Sequence, residues 1–331
     1  MNSNFYKIFR SYQEISVRYD ESRKAVWVYF NPTPKPCFST IMLQNIRQVQ
    51  LDIIDFFRTE MDHENAPIRY FILGSQVPGV FNFGGDLALF VELIKSQDRR
   101  RLINYATLCI DAIYTNAISM NLPLTTISVV EGSALGGGFE TALSSNVLLA
   151  TPQSEMGFPE NRFNCFPGMG AYSLLARLAG MAVADKMISS GKIYTGAALY
   201  RMGFIKQLLD PDNIQGSVEN YIRKHQRSGL GSRGMQLVRQ RYHPLDYQEL
   251  IDISTIWVDT SLQLLDKDLR MMERLAKAQT VKLTEKPNTK KQLIRTKQDR
   301  RVSPPDVSFP LTDWSNKIIY IDRRFNFDRR T

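Results

Sequence analysis

Residues 132–144 read GSALGGGFETALS and carry three consecutive glycines. They lie between two apolar runs, TTISVV (125–130) and NVLLAT (146–151), which read as buried strands. The glycines therefore fall where a strand ends and a helix begins. Because a glycine in a helix costs about 1 kcal/mol relative to alanine, three in succession indicate a backbone that a ligand approaches closely.

The sequence on either side alternates strand and helix patterns. ISVRYD (15–20) and AVWVYF (25–30) predict a hairpin, and IRYFIL (68–73) predicts another buried strand. Apolar residues at three- and four-residue steps from Phe38 to Phe56 predict an amphipathic helix. Further helices are expected near 86–97 and 99–120. This spacing is typical of an α/β fold.

Beyond about residue 168 the strand signals become sparse and helices dominate. We expect one long helix over 246–278, and its apolar stripe is Leu250, Ile253, Trp257, Leu264 and Met272. The predicted organisation is a core with the active site at 1–210, a C-terminal helical region at 211–280, and a basic, partly disordered extension at 281–331.

The net charge of +9 is concentrated in this extension. From Thr280 to Thr331 there are 13 Lys+Arg and 6 Asp+Glu, which leaves +2 for the rest of the chain. A nearly neutral body argues against a nucleic-acid-binding core. The extension is interpreted as a solvated tail, as an attractor for an acidic carrier protein or the phosphates of CoA, or as a contact for anionic lipid or nucleic acid.

Composition also limits the cellular setting. The three cysteines are far apart and odd in number, which favours a reducing compartment over a disulfide framework. No run approaches the ~18 apolar residues of a membrane helix, and the first residues lack a signal-peptide pattern. A cytoplasmic location without a membrane span is expected.

A second glycine segment, FNFGGDL (81–87), also joins a strand to a helix. Two such helix starts that face each other can offer backbone N–H groups to one carbonyl oxygen, which is an oxyanion hole. A single Gly-Gly pair is more often only a tight turn.

Two carboxylates accompany these segments. Glu140 lies one helical turn after Gly137, and Glu160 follows an apolar stretch whose burial would raise the pKa of its carboxyl. Either glutamate alone is more often a surface residue. Together in one apolar pocket they can divide acid and base roles, and the sequence does not assign which is which.

Other chemistries find little support. A GxGxxG motif fails at Thr141, and no GxSxG nucleophile elbow is present. The histidines, His63, His225 and His243, lie outside the glycine segments, so neither a serine–histidine triad nor a histidine metal site is indicated. Cys165 is more typical of an inert buried thiol than of a nucleophile.

The chain resembles the crotonase (enoyl-CoA hydratase/isomerase) superfamily over about residues 15–275. The resemblance rests on three motifs in this order: FNFGGDL, GSALGGGFE, and FPE followed by Pro-Gly. The resemblance implies a crotonase fold, a ββα spiral core with a C-terminal helical region. It implies oxyanion donors at Gly85 and Gly137, catalytic roles for Glu140 and Glu160, and water or hydroxyl positioning by Gly168. It implies neither a metal nor a cofactor.

Within the superfamily, the sequence resembles the diffusible signal factor synthase branch in the runs NPTPKPCF (31–38) and FPENRFNCFPGMGAYSLL (158–175) and in Trp257. The tail beyond about residue 285 departs from that branch. That branch dehydrates 3-hydroxyacyl groups on acyl carrier protein and cleaves the thioester, which releases a cis-2-unsaturated fatty acid for quorum sensing. Leu135, Met169 and Trp257 would then line the acyl pocket, although they also fit an ordinary core.

The implied partners are an acyl carrier protein or CoA thioester, the receiver domain of a sensor kinase, and further copies of the chain in a trimer or a dimer of trimers. Two alternatives share the scaffold. One is an ordinary enoyl-CoA hydratase/isomerase of fatty-acid metabolism, and the other is a regulatory binding protein.

Overall fold

The computed structural model describes residues 3–32, 35–59, 67–284, 311–312 and 318–319. The chain divides into two compact units, Met1–Lys286 and Pro287–Thr331. The predicted partly disordered extension at 281–331 falls mostly outside the described residues, although its first four residues, 281–284, are the end of a helix. The predicted boundary at 210 stays a prediction.

The helices and strands of the described residues are numbered in chain order. The helices are α1 (Ser3–Lys7), α2 (Thr40–Thr59), α3 (Leu87–Lys95), α4 (Arg99–Ala117), α5 (Gly137–Ser144), α6 (Ala171–Ala179), α7 (Met181–Ser190), α8 (Gly196–Arg201), α9 (Ile214–Arg227), α10 (Gly229–Tyr242), α11 (Tyr247–Ser261) and α12 (Asp266–Thr284). Short 3₁₀ turns are Glu21–Arg23, Ser119–Asn121 and Pro159–Phe163. The strands are β1 (Ile15–Asp20), β2 (Ala25–Phe30), β3 (Tyr70–Ser75), β4 (Val80–Asn82), β5 (Thr125–Val130), β6 (Ser133–Leu135), β7 (Val147–Ala150), β8 (Glu155–Gly157), β9 (Ile193–Thr195), β10 (Gln207–Leu208), β11 (Leu311–Thr312) and β12 (Ile318–Ile319).

The first unit contains a six-stranded sheet in the order β1-β2-β3-β5-β7-β10. The hairpin of β1 and β2 is antiparallel, as predicted, and the remaining neighbours are parallel. Strand β5 is buried at every residue, which explains why its sequence is a run of β-branched and small residues rather than an alternation. The predicted α/β fold class is confirmed.

Alternate side chains of this sheet contribute to two apolar clusters. Val26 and Val28 of β2 belong to the larger cluster, which includes residues of α2 and α4, whereas Trp27 belongs to a smaller one with Val218 and Ile222 of α9. This division follows from the two-residue period of a strand.

A second sheet of four short strands, β4-β6-β8-β9, carries the glycine segments. Strands β4, β6 and β8 are parallel neighbours. Their carboxyl ends therefore lie at one edge, and the segments that begin at Phe83, Gly136 and Phe158 leave the sheet side by side.

The predicted single helix over 246–278 is wrong, because the chain forms two helices, α11 and α12. The break falls at 262–265, where the carboxylate of Asp268 accepts a hydrogen bond from the N–H of Leu265. A side chain in the first turn that reaches back to the N–H of the residue before the helix satisfies that N–H and favours a new helix start there. Helix α12 packs against α3 and the turn Pro159–Phe163.

None of the described helices combines the length and the apolar character that crossing a membrane requires.

Candidate active site

Two backbone segments meet where β4 and β6 end. A methyl group placed on Gly84 would lie 2.7 Å from the nitrogen of Gly137, and one placed on Gly137 would lie 3.6 Å from the nitrogen of Gly85. The segments can approach this closely only because neither carries a side chain at these positions. The amides of Gly85 and Gly137 are therefore neighbours in space.

Both amides are available to a ligand. Gly137 is the first residue of α5, so its N–H lies beyond the reach of the intrahelical hydrogen bonds. Within the described residues, neither its N–H nor that of Gly85 donates to a protein acceptor. Two unpaired donors, one at the positive end of a helix, suit an oxygen that becomes negative during a reaction.

Glu140 projects from the first turn of α5 and is only 1% exposed. Its Oε1 accepts hydrogen bonds from the N–H groups of Met169 and Ala171, at 2.8 and 2.9 Å. Burial raises the pKa of this carboxyl to about 7, and the two N–H donors oppose the rise because they favour the ionised form.

Glu160 comes from the turn Pro159–Phe163 and offers a contrasting environment. Its Oε2 is buried and has no hydrogen-bond partner among the described residues. Burial, together with the nearby charge of Glu140, raises the pKa of Glu160 to about 8. Both carboxyls can therefore hold or release a proton near neutral pH.

Gly136 makes room for Glu160. A methyl group at position 136 would collide with Oε1 of Glu160, and the backbone φ of +54° is unfavourable for a residue with a side chain. The first glycine of the three thus permits the approach of one carboxyl, while the second supplies the free amide.

All eight residues singled out from the sequence line one cavity of about 240 Å³. They are Gly85, Leu135, Gly137, Glu140, Glu160, Gly168, Met169 and Trp257. The structure brings them together, and the role of each stays a prediction.

Trp257 forms part of the cavity wall and fixes the position of Gly168. A methyl group on Gly168 would collide with the indole ring, so the backbone there lies directly against the tryptophan. The indole also packs edge-on against Phe90, with ring centroids 5.1 Å apart. The loop that supplies the N–H of Met169 to Glu140 is therefore held from the side of α11.

Sequence reasoning missed several residues of the cavity wall. They are Phe83, Leu87, Phe90, Arg162, Phe163, Phe166, Leu275, Ala278 and Gln279. Phe83 and Leu87 lie inside FNFGGDL, so that motif already held a signal. Leu275, Ala278 and Gln279 of α12 had no such sequence signal, because the sequence did not show that the chain breaks between α11 and α12.

The other candidate groups do not join this site. Burial raises the pKa of Cys165, which keeps the thiol protonated near neutral pH. His225 pairs with the hydroxyl of Tyr70 in another part of the unit, and His63 lies outside the described residues. In the described part of the chain, no group of three or more His, Cys, Asp and Glu residues could hold a metal ion.

Residues 52–231 match the family model described as enoyl-CoA hydratase/isomerase. The chain belongs to this family. Among curated proteins it is similar to the mitochondrial methylglutaconyl-CoA hydratases of Rattus norvegicus and Homo sapiens, each 32% identical over 143 residues, or 43% of this chain. The chain spans 43% of the rat protein and 40% of the human protein, less than half of each.

Solved structures share the fold at lower identity. An enoyl-CoA hydratase from Bacillus halodurans is 17% identical with a TM-score of 0.65, and the match covers 79% of this chain and all of that one. DspI from Pseudomonas aeruginosa is 22% identical with a TM-score of 0.58, over 71% of this chain and 83% of that one. Such identities speak for the fold alone.

Proposed function

We propose that this protein is an enzyme that dehydrates 3-hydroxyacyl thioesters and then hydrolyses the thioester. One observation carries the proposal. Two buried carboxyls with raised pKa values share a cavity with the backbone amides of Gly85 and Gly137, which donate to no acceptor among the described residues. Such a pair supplies acid and base near neutral pH, and such amides stabilise a developing oxyanion.

In the dehydration step, the thioester carbonyl lies between the two amides, which stabilise the enolate-like charge that forms when a Cα proton leaves. One glutamate takes that proton and ends protonated. The other gives its proton to the departing 3-hydroxyl, which leaves as water, and ends ionised. The pair therefore starts and finishes with one proton, a state that the repulsion between two neighbouring carboxylates favours.

The same amides serve the hydrolysis. A carboxylate removes a proton from water, which adds to the thioester carbonyl, and the two N–H groups stabilise the tetrahedral oxyanion. Collapse of this intermediate expels the thiol, which regains a proton, and releases the free acid. Neither step calls on a cofactor.

The specific product that we propose is a cis-2-unsaturated fatty acid released from acyl carrier protein as a diffusible signal. Support comes from the residue runs 31–38 and 158–175 and from Trp257 in the cavity wall. A homo-oligomer, either a trimer or a dimer of trimers, and a sensor kinase's receiver domain as a partner belong to the same proposal.

A second candidate is hydration of enoyl-CoA without hydrolysis. The similarity to methylglutaconyl-CoA hydratases favours it, and it uses the same carboxyls and amides. The two candidates differ in the carrier of the acyl group and in whether free acid appears.

Mass spectrometry separates them. The purified protein is incubated with one 3-hydroxyacyl group presented on acyl carrier protein or on CoA, and enoyl thioester and free acid are quantified. We expect faster turnover of the carrier-protein form and accumulation of free 2-enoic acid. Enoyl-CoA without free acid would favour the second candidate, and no turnover of either substrate would contradict both.

A further inference from the structure

Gln279 on α12 is a buried amide in the wall of the cavity, only 8% exposed. Its Nε2 donates to the carbonyl oxygen of Phe83, at 3.5 Å. Because a carbonyl oxygen can only accept, this contact fixes the orientation of the amide, with nitrogen toward Phe83. The other end, Oε1, is buried without a hydrogen-bond partner among the described residues.

An unpartnered buried acceptor is unfavourable, and native proteins contain few of them. Here the orphaned oxygen belongs to a residue that lines a cavity with room for a ligand. A ligand with an N–H or O–H donor at the matching position would satisfy it. Glu160 Oε2 is also unpaired in this cavity, but proton transfer already accounts for it.

The position of Gln279 indicates which donor of a thioester would reach it. Its contact, Phe83, lies two residues before Gly85, so Gln279 touches the segment that carries one of the two oxyanion donors. With the thioester carbonyl at Gly85 and Gly137, carbons 2 and 3 of the acyl group must face Glu140 and Glu160. The sulfur-bearing arm then extends away from the carboxyls.

CoA and acyl carrier protein present the acyl group on the same pantetheine arm, whose first donor is an amide N–H two carbons from sulfur. We propose that Oε1 of Gln279 accepts a hydrogen bond from this amide and so positions the thioester. This inference rests on the proposed function. It makes Gln279 a specificity-determining residue for pantetheine thioesters, contributed by a helix outside the sheet core.

Two small substrates test the inference on the native protein. Both carry the same 3-hydroxyacyl group, one as the N-acetylcysteamine thioester and the other as the S-(2-acetoxyethyl) thioester, in which an ester oxygen replaces the N–H. We expect kcat/KM to be about five- to tenfold higher for the first, the worth of one hydrogen bond.

Gln279→Met keeps the length of the side chain and removes the acceptor. We expect it to bring the ratio of the two kcat/KM values close to one through slower turnover of the N-acetylcysteamine substrate alone. Gln263→Met, at an exposed site between α11 and α12, is the matched control and should keep the wild-type ratio. A simple loss of packing at position 279 would slow both substrates equally.

A ratio near one in the wild type, or an unchanged ratio in Gln279→Met, would overturn the role of Gln279 while leaving the proposed function standing. If the wild type turns over neither thioester, nor any carrier-protein or CoA substrate, the proposed function fails and this inference fails with it.

Discussion

At the scale of residues, the site depends on two carboxyls placed in unlike surroundings. Glu140 receives two backbone hydrogen bonds, whereas one buried oxygen of Glu160 has no partner in the described part of the chain. Burial raises the pKa of both carboxyls, and at Glu140 the two N–H donors oppose that rise because they favour the carboxylate.

Burial of Glu160 makes the stability of the protein depend on pH. Its pKa rises from 4.5 to about 8 on folding, so between these values the folded chain holds a proton that the unfolded chain has lost. The contribution of Glu160 to the free energy of unfolding therefore falls as pH rises from about 5 to about 8, and it changes little above that. We expect Glu160→Gln to reduce this fall.

Thermal unfolding at pH 5, 7 and 9 measures the effect, as the change in midpoint temperature from the lowest to the highest pH. Glu155→Gln removes an exposed carboxyl nearby and should follow the wild type. Equal pH dependence in Glu160→Gln and the wild type would show that this carboxyl is not held protonated.

Gly136 offers a second test at this scale. We expect Gly136→Ala to lower kcat at least a hundredfold, the lower end of the effect of losing a positioned acid or base, because the new methyl group displaces Glu160 and strains the backbone. Gly231→Ala, where nothing lies near the added methyl group, is the control. Steady-state kinetics with a 3-hydroxyacyl thioester would contradict this account if both variants kept normal kcat.

At the scale of elements, the long strands and the helices α2, α3 and α4 could be predicted from sequence. Strand β5 and the hairpin of β1 and β2 have clear apolar patterns and turn residues. The second sheet could not be predicted, because strands of three residues such as β4 and β6 are too short to show a period. They matter most to the site, since their carboxyl ends bring the glycine segments together.

The residues of the candidate site could be predicted even though the second sheet that positions them could not. Glycines and carboxylates within short motifs are visible in sequence, and all eight chosen residues line the cavity. Leu275 and Gln279 were not visible, because they reach the cavity only after the chain turns at 262–265. Tertiary packing of α12, rather than any local pattern, brings them there.

The break between α11 and α12 is itself testable. Asp268→Ala removes the acceptor for the N–H of Leu265 and should lower the free energy of unfolding by about 1 kcal/mol, the typical contribution of one hydrogen bond. We also expect a higher KM, because α12 carries residues of the cavity wall. Urea denaturation and kinetics check both effects, and Asp266→Ala, at an exposed position, is the control. Unchanged stability would mean that this contact does not define the helix start.

At the scale of the whole molecule, charge is distributed unevenly. Seven of the nine net positive charges lie between Thr280 and Thr331, and six of them follow Lys286, where the first compact unit ends. If this segment attracts an acidic carrier protein, its effect should be visible at low ionic strength and be screened by salt.

We expect a chain that ends at Lys286 to show a several-fold higher KM for an acyl carrier-protein substrate at low salt, with a weaker dependence of KM on salt. Turnover of a small N-acetylcysteamine thioester by the same variant is the internal control and should not change. Identical KM values for the carrier-protein substrate, with and without the segment at low salt, would exclude the docking role.

The central claim is that Glu140 and Glu160 act as one acid–base pair, and single-turnover dehydration of a 3-hydroxyacyl thioester tests it most directly. We predict that Glu140→Gln and Glu160→Gln each lower the rate by on the order of 10²–10⁴. The double variant should be about as slow as either single variant, because residues that act as a unit are not additive. Near-normal dehydration in both single variants, with the fold intact by circular dichroism, would contradict the account.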